Sequence, residues 1–501
     1  MGQRDARIKK NLFSGLVSQM VGILLSVFLP KLLIENYGSE VNGLLSSVTN
    51  LYAYLAIVET GVAAASCQGL YQAFANESRD NINAIMAATN RYYYRSGVVY
   101  LALVLVLSAA YPIFAQTSLP TTTVVLIVFL NGISNVINYF FYGKYLILLK
   151  ADGKNYVRIG IETAVTVLKQ ISKIVLILLG FDVIMVQVVA LLANAVQMIF
   201  ITYYIRRNYP WIDLRVVPNN AAIKQNRNAI IHELQYLITN NTDVALLTLF
   251  STMKEISVYS LYAMLVGMID RVLRIAKDSL EFKIANFFHT DKEKFNEVFH
   301  AYEVYYISSA FALFTIFAYF CRPFIAVYTK GITDAEYTNV YYPFMFAMIG
   351  MLVAGRYPYD ALVYIAGHFK QTQKSAIIEA SMNLGLSIVL VQRYGIIGVL
   401  FGTIVSAAYR TLYQIAYVSK YILCRNARST YRCLLLNLCL CGCILYLSSL
   451  IPLYPGNIVE ILVYCVPYSV VVVAIYIASN SLVEQDAYHF LRRMLGKRKM
   501  G

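Results

Sequence analysis

Apolar stretches separated by short polar breaks recur along the chain from residue 12 to residue 482. Each stretch is long enough for a transmembrane helix, because roughly 20 helical residues cross the hydrocarbon core of a bilayer. Only helices and closed barrels satisfy the backbone in lipid, and barrel strands alternate polar with apolar residues. The run 98–110 shows no such alternation. The pattern predicts an all-α polytopic membrane protein with about 14 transmembrane helices, numbered below as spans.

Composition agrees with a membrane protein and excludes several function classes. The chain has 501 residues, of which 59% are hydrophobic, so little is left for a soluble domain. Its net charge of +15 is spread over the loops. This predicts no nucleic-acid partner, because such a site needs a basic patch on a fold of its own. The basic N-terminus runs into an apolar segment without a cleavage site, which predicts a first transmembrane helix and not a signal peptide.

Lys and Arg are divided unevenly between the two sets of loops. The N-terminus, the even-numbered loops and the C-terminal tail hold most of the 42, whereas the odd-numbered loops hold only Lys254, Arg322, Lys330 and Arg393. Positive residues favour the cytoplasmic side of a membrane. Both termini are therefore predicted to be cytoplasmic.

The two halves of the chain show a weak internal repeat. Spans five and six, at 156–204, align with spans eleven and twelve, at 375–418, and a glycine in each pair, Gly180 or Gly395, predicts a turn. An even number of spans per half gives both halves one orientation, as in transporters built from parallel repeats. The predicted organisation is an N-terminal lobe of spans 1–6 at 1–207, a cytoplasmic linker at 208–226, a C-terminal lobe of spans 7–12 at 227–424, spans 13–14 at 425–483 and a basic cytoplasmic tail at 484–501.

Motifs for nucleotide or acyl chemistry are absent from the sequence. It contains neither the G-x-x-x-x-G-K-[ST] loop that cradles phosphates nor the G-x-S-x-G turn that presents a nucleophile. Its eight cysteines and five histidines are not arranged as metal ligands. We expect no metal, no cofactor and no enzymatic activity.

Charged residues inside the spans are the candidates for function, because they are costly in lipid and usually mark a transport pathway. Arg271 and Arg274 in span eight share one helix face; the alternative is a cytoplasmic helix end whose side chains reach water. Arg356 and Asp360 in span ten are four residues apart around Pro358. They predict either a ligand site or a purely structural ion pair.

Span two and span seven carry further polar groups. Glu59 is predicted to bind a proton or to pair with a cation, and a neutral structural acid is the alternative. Asn240, Asn241 and Asp243 form a polar group in span seven. For Lys169, Lys173 and Arg410, snorkelling to the interface or packing between helices is favoured over ligand contact.

The stretch 7–44, followed by Glu59-Thr60-Gly61-Val62, resembles the Wzx-like polysaccharide flippases of the multidrug/oligosaccharidyl-lipid/polysaccharide (MOP) exporter superfamily. The resemblance covers the full length. It implies a MATE-like fold with two six-helix lobes around a central cationic cavity, followed by two extra helices. It also implies a flippase that moves undecaprenyl-pyrophosphate-linked oligosaccharides across the bacterial cytoplasmic (inner) membrane for O-antigen, capsule or exopolysaccharide assembly. The positions it favours are Glu59, Asp243, Arg271 and Arg274, over the span-five lysines.

The residues predicted to bind substrate are therefore Arg271, Arg274, Arg356, Glu59, Asp243, Asn240, Asn241 and Asp360. The expected partners are the lipid-linked oligosaccharide and membrane lipids, with a polysaccharide polymerase and a chain-length regulator as candidate protein partners. Two alternatives stay open. One is a cation-coupled multidrug or metabolite exporter of the same fold, which would favour acidic and aromatic cavities. The other is a membrane polysaccharide polymerase or ligase, which would carry a long outer loop.

Overall fold

A computed structural model of the chain describes residues 2–55, 57–223, 237, 241–451 and 453–497. Within these ranges, the side chains of 2–9, 12, 13, 16, 24, 57–61, 282 and 494–497 lie outside the description. All regular structure in the described residues is helical, as predicted. The chain forms two compact units, Met1–Ser257 and Val258–Gly501.

The first unit consists of helices, and short turns join those from α1 to α8. Its elements are α1 (Gly2–Tyr37), α2 (Ser39–Leu55), α3 (Ile57–Ala75), α4 (Arg79–Phe114), α5 (Thr121–Ile137), a π-helical turn (Asn138–Tyr142), α6 (Gly143–Ala151), α7 (Asn155–Leu178), α8 (Val183–Asn208) and the described part of α9 (241–250). Side-chain caps start several of these helices: Ser78 accepts a hydrogen bond from the Asn81 amide, and Asp182 accepts one from Ile184.

The second unit has fewer and longer helices. Its elements are α10 (Met253–Thr290), whose first turn belongs to the first unit, α11 (Lys292–Tyr328), α12 (Tyr341–Ile365), α13 (Phe369–Tyr421), α14 (Arg428–Ser449), α15 (Ile458–Val483) and α16 (Gln485–Lys497). Helix α11 lies at the centre of the unit, because it packs against α12, α14, α15 and α16.

Nine helices in the described residues are long and apolar enough to cross a membrane, judged by length and composition. One of them is the continuous segment Thr121–Ala151, which joins α5, the π-helical turn and α6. Another, α13, contains two of the predicted spans. Helices α7 and α12 occupy spans five and ten, and α2 with α3 occupies span two. The fold is therefore an all-α polytopic membrane protein.

Helix α13 reverses direction at Gly395, whose φ of 52° is in the left-handed region that favours glycine. The Asn383 amide donates to Thr403 Oγ1 at 2.9 Å, and Arg410 donates to the carbonyl of Thr372 at 3.1 Å, so the two arms run antiparallel. The other predicted turn, at Gly180, also has a positive φ, of 76°. Both glycine turns predicted from the repeat are confirmed.

Tyrosine side chains fill much of the core of the first unit. Tyr93, Tyr100 and Tyr111 are fully buried, and the ring centroids of Tyr100 and Tyr139 are 5.0 Å apart. The hydroxyl of Tyr111 donates to Ser47 Oγ at 2.6 Å. This hydrogen bond offsets the cost of burying the Tyr111 hydroxyl. The outward face stays apolar: Ile113 on α4 is 85% exposed, which suits contact with lipid.

Candidate functional site

The first unit encloses a cavity of about 390 Å³ between α2, α4, α5, α7 and α8. Two lysines from α7, Lys169 and Lys173, and Gln187 from α8 line it. Four asparagines contribute further amides, namely Asn131, Asn135, Asn138 and Asn194. No carboxylate lies in the lining. The cavity is therefore polar and formally cationic, although it lies within a bundle of apolar helices.

The two lysines reach the cavity together because residues four apart lie on one face of a helix. Among the residues that the structure describes, neither Lys169 nor Lys173 forms an ion pair with a carboxylate. The sequence favoured snorkelling or helix packing for this pair. In the structure, both lysines instead line a cavity. Amide side chains of α5 and α8 lie on the other sides of that cavity.

The π-helical turn at Asn138–Tyr142 shapes the opposite wall of the cavity. Such turns occur often at functional sites, because the extra residue redirects the neighbouring side chains. Here the turn places Asn138 and Tyr139 on the lining. The buried Asn138 Oδ1 accepts no hydrogen bond, and Gln187 Nε2, on a side chain that is 3% exposed, donates none within the described protein.

Two of the predicted polar residues of span seven, Asn241 and Asp243, lie on α9, which packs against α2. Ser47 Oγ and Thr248 Oγ1 are 2.5 Å apart, and the Tyr54 hydroxyl is 3.1 Å from Thr242 Oγ1. Asp243 is buried, at 4% exposure. The Asn241 amide donates to the carbonyl of Leu237 at 3.0 Å. The side chains of the other two predicted residues, Glu59 and Asn240, lie outside the described part of the chain.

Helix α10 carries the two arginines of span eight, and their surroundings differ. Arg274 Nε donates to Asp270 Oδ2 at 2.6 Å, and its guanidinium lies 5.0 Å from the centroid of the Tyr357 ring. The Tyr357 hydroxyl donates to the other oxygen of Asp270 at 2.5 Å. Arg271 is exposed and, in the described residues, pairs with no acid. The positive charge of this helix face is therefore only partly offset.

Arg356 belongs to a buried charge cluster in the second unit. Its Nη1 is 2.7 Å from Glu379 Oε1, and its Nε is 3.2 Å from Asp360 Oδ2. Arg410 Nε lies 3.6 Å from the second oxygen of Glu379. Glu379 has no solvent exposure, and both arginines are less than a tenth exposed. Two guanidinium groups thus face two carboxylates, so the cluster is balanced in charge and stabilises the packing of α12 against both arms of α13.

The sequence pattern contained the Arg356–Asp360 part of this cluster but not its centre. Glu379 appeared only as the end of the A-I-I-E repeat element. Its counterpart in the first unit, Glu162, pairs with Arg158 at 3.2 Å, with both side chains about one-third exposed. A charge inside a predicted span, opposite a known intramembrane arginine, is the signal that would have identified Glu379.

Comparison with known proteins gives matches in structure only. No protein-family model and no curated protein matches the sequence. The structure of the lipid II flippase MurJ, in an inward closed conformation, matches with a TM-score of 0.67 at 13% identity, covering 95% of this chain and 99% of that one. An inward-facing multidrug resistance MATE family transporter of the MOP superfamily matches with a TM-score of 0.60 at 14% identity, covering 80% and 95%. A point mutant of the Vibrio cholerae MATE transporter VcmN gives 0.53 at 14% identity, covering 85% and 99%. The chain therefore has the fold shared by these transporters.

Proposed function

We propose that this protein is a flippase that carries undecaprenyl-pyrophosphate-linked oligosaccharide units across the bacterial cytoplasmic membrane for surface polysaccharide assembly. The observation that carries the proposal is a positive charge on a membrane helix that the described acids do not neutralise, Arg271 on α10. A pyrophosphate head group needs such charge, and guanidinium groups bind phosphate oxygens with several donors. The fold similarity to a lipid II flippase, over nearly the whole chain, supports a lipid-linked substrate.

In this proposal only the head group crosses the membrane core, while the lipid tail stays in the bilayer. Binding sites that face one side of the membrane and then the other are common in transporters built from repeats. Arg271 and Arg274 would bind the pyrophosphate, with Asp270 and Tyr357 orienting Arg274. Both termini are proposed to be cytoplasmic, and a polysaccharide polymerase and a chain-length regulator are the proposed protein partners.

The competing function is export of drugs or metabolites coupled to a cation, which the MATE-like fold also permits. That function favours acidic residues around the transport site, whereas the cavity in the first unit has two lysines and no carboxylate in its lining. The charge of the cavity therefore favours an anionic substrate.

The test is a deletion of the gene, complemented with parent and variant proteins. We expect the deletion to remove surface polymer and to leave lipid-linked oligosaccharide on the inner face of the membrane. Arg271→Gln, at parent abundance, should restore little export. Arg271→Lys should restore part of it, because lysine keeps the positive charge but lacks the paired N–H donors of the guanidinium group. The matched control is Lys150→Gln, which removes an exposed cation of the first unit. Normal surface polymer in the deletion strain, or full export by Arg271→Gln, would contradict the proposal.

A further inference from the structure

We propose that the cavity of the first unit binds a sugar residue that carries a carboxylate, with the carboxylate between Lys169 and Lys173 and the sugar hydroxyls on the surrounding amides. The proposal concerns a binding site for part of the substrate, distinct in position from Arg271 and Arg274. It rests on the proposed function for the origin of the sugar, because a flippase would meet it as part of a lipid-linked oligosaccharide.

The charge of the lining selects the class of ligand. Two lysines face the cavity, and no acid in its lining can neutralise them. Charged groups inside a membrane protein usually pair with one another or face a polar pathway. An anionic group on a ligand would supply the missing counter-charge.

The donors in the cavity suit a carboxylate with hydroxyl groups better than a pyrophosphate. Every lining residue lies inside a helix, so the backbone amides there are used in helical hydrogen bonds, and no helix N-terminus points into the cavity. The lining contains no arginine, the residue best suited to grip phosphate in two-point contact. Lysine ammonium groups and side-chain amides remain as the available donors.

The side-chain amides of the lining indicate hydroxyl groups on the ligand. Asn131, Asn135 and Asn194 line the cavity beside the two lysines. A side-chain amide offers both donors and an acceptor, and a sugar hydroxyl donates and accepts at once. Neighbouring hydroxyls of one sugar ring can therefore pair with both kinds of amide atom.

Size and shape also agree with a sugar. The volume of about 390 Å³ is within the range of roughly 300–1,000 Å³ for small-molecule sites. Three tyrosines, Tyr52, Tyr100 and Tyr139, also line the cavity. Aromatic rings pack against the apolar faces of ligands.

Ligand binding can be measured on the full-length protein in detergent with glucuronate, glucose and inorganic phosphate as probes. A ligand that binds the folded state raises the thermal midpoint in proportion to the logarithm of its concentration over Kd. We expect glucuronate to raise the midpoint more than glucose at equal concentration, and any shift with phosphate to be independent of Lys169 and Lys173, because phosphate would bind at Arg271 and Arg274. Lys169→Gln with Lys173→Gln should abolish the difference between the two sugars, whereas Lys150→Gln should preserve it. Equal shifts for both sugars in the parent protein, or a phosphate shift that the two lysine substitutions abolish, would overturn the proposal.

A second measurement needs no ligand. A single cysteine at Asn194, in a variant without the native cysteines, would react with methanethiosulfonate reagents of either charge. Because the lining is cationic, we expect the anionic sulfonate reagent to react roughly tenfold faster than the cationic ammonium reagent, relative to free thiol. Lys173→Gln should reduce this ratio. A ratio equal to that of free thiol would refute a cationic sugar site.

The export test and the glucuronate-binding test together separate this proposal from the proposed function. If Arg271→Gln blocks export but glucuronate does not bind, the flippase stands and the sugar site fails. If glucuronate binds with the expected lysine dependence but the deletion strain keeps its surface polymer, the sugar site stands and the flippase fails.

Discussion

Glu379→Gln is the substitution with the largest expected effect on stability. The carboxylate of Glu379 is fully buried and lies 2.7 Å from Arg356 Nη1 and 3.6 Å from Arg410 Nε. Glutamine removes the charge and leaves Asp360 as the remaining acid beside two buried guanidinium groups. Removing one partner of a buried pair costs about 3–5 kcal/mol. Because glutamine keeps the shape and one acceptor oxygen, we expect a cost near the lower end, about 3 kcal/mol.

This loss of stability can be measured by thermal unfolding of the purified protein, with size-exclusion chromatography to monitor the folded fraction. A loss of about 3 kcal/mol should lower the midpoint by roughly 10 °C for a unit of this size. The matched control is Glu162→Gln, which breaks a partly exposed pair with Arg158 at the corresponding repeat position and should cost only about 0.3–0.5 kcal/mol.

A second substitution tests the assigned cause. Adding Arg356→Met to Glu379→Gln leaves one guanidinium and one carboxylate in the cluster, so the double variant has no excess charge and should recover part of the lost stability. If Glu379→Gln unfolds at the same temperature as Glu162→Gln, the cluster does not stabilise the fold and the reasoning from its geometry is wrong. If the double variant is less stable than Glu379→Gln by the full cost of Arg356→Met alone, the two residues are not coupled.

Two further predictions concern the loops. In a protein without native cysteines, a cysteine at Ser118 should react with an impermeant maleimide in intact cells, and one at Ser429 only after permeabilisation, because positive residues mark the cytoplasmic loops; the reverse pattern would invert the topology. Burial raises the pKa of Glu40, but hydrogen bonds from Thr117 and Ser118 outweigh it and hold that pKa below its ordinary value of 4.5. Glu40 should therefore stabilise the fold above pH 4.5 and lose this effect as the pH falls further. Thermal midpoints of parent and Glu40→Gln should differ most at neutral pH and converge in acid, and a difference independent of pH would contradict this.

The sequence was most informative where one local pattern determines the outcome. Hydropathy identified the helices, and the glycines at 180 and 395 marked turns because their backbone needs a positive φ. The spacing of Arg356 and Asp360 likewise predicted a contact on one helix face, which the structure confirms. These features depend on residues close together in the chain.

Contacts between helices could not be read in the same way. Glu379 reaches Arg356 from another helix, and no spacing rule links them. Lys169 and Lys173 at i, i+4 predict only a shared face, which fits snorkelling as well as a cavity. Their environment depends on amides of α5 and α8 and on the π-helical turn after α5, for which the sequence has no distinctive pattern.

The π-helical turn also fixes the permitted length of its span. An α-helix advances by about 100° per residue, so one additional residue in a turn rotates everything after it by about that angle. The part of the span after the turn directs Lys144 Nζ to the Asn90 side chain at 2.6 Å, while the part before it directs Asn131 and Asn135 to the cavity. A single-residue deletion in 138–142 would keep both halves helical and apolar but turn one away from its neighbours. In related chains, insertions and deletions in this segment should therefore be selected against more strongly than substitutions.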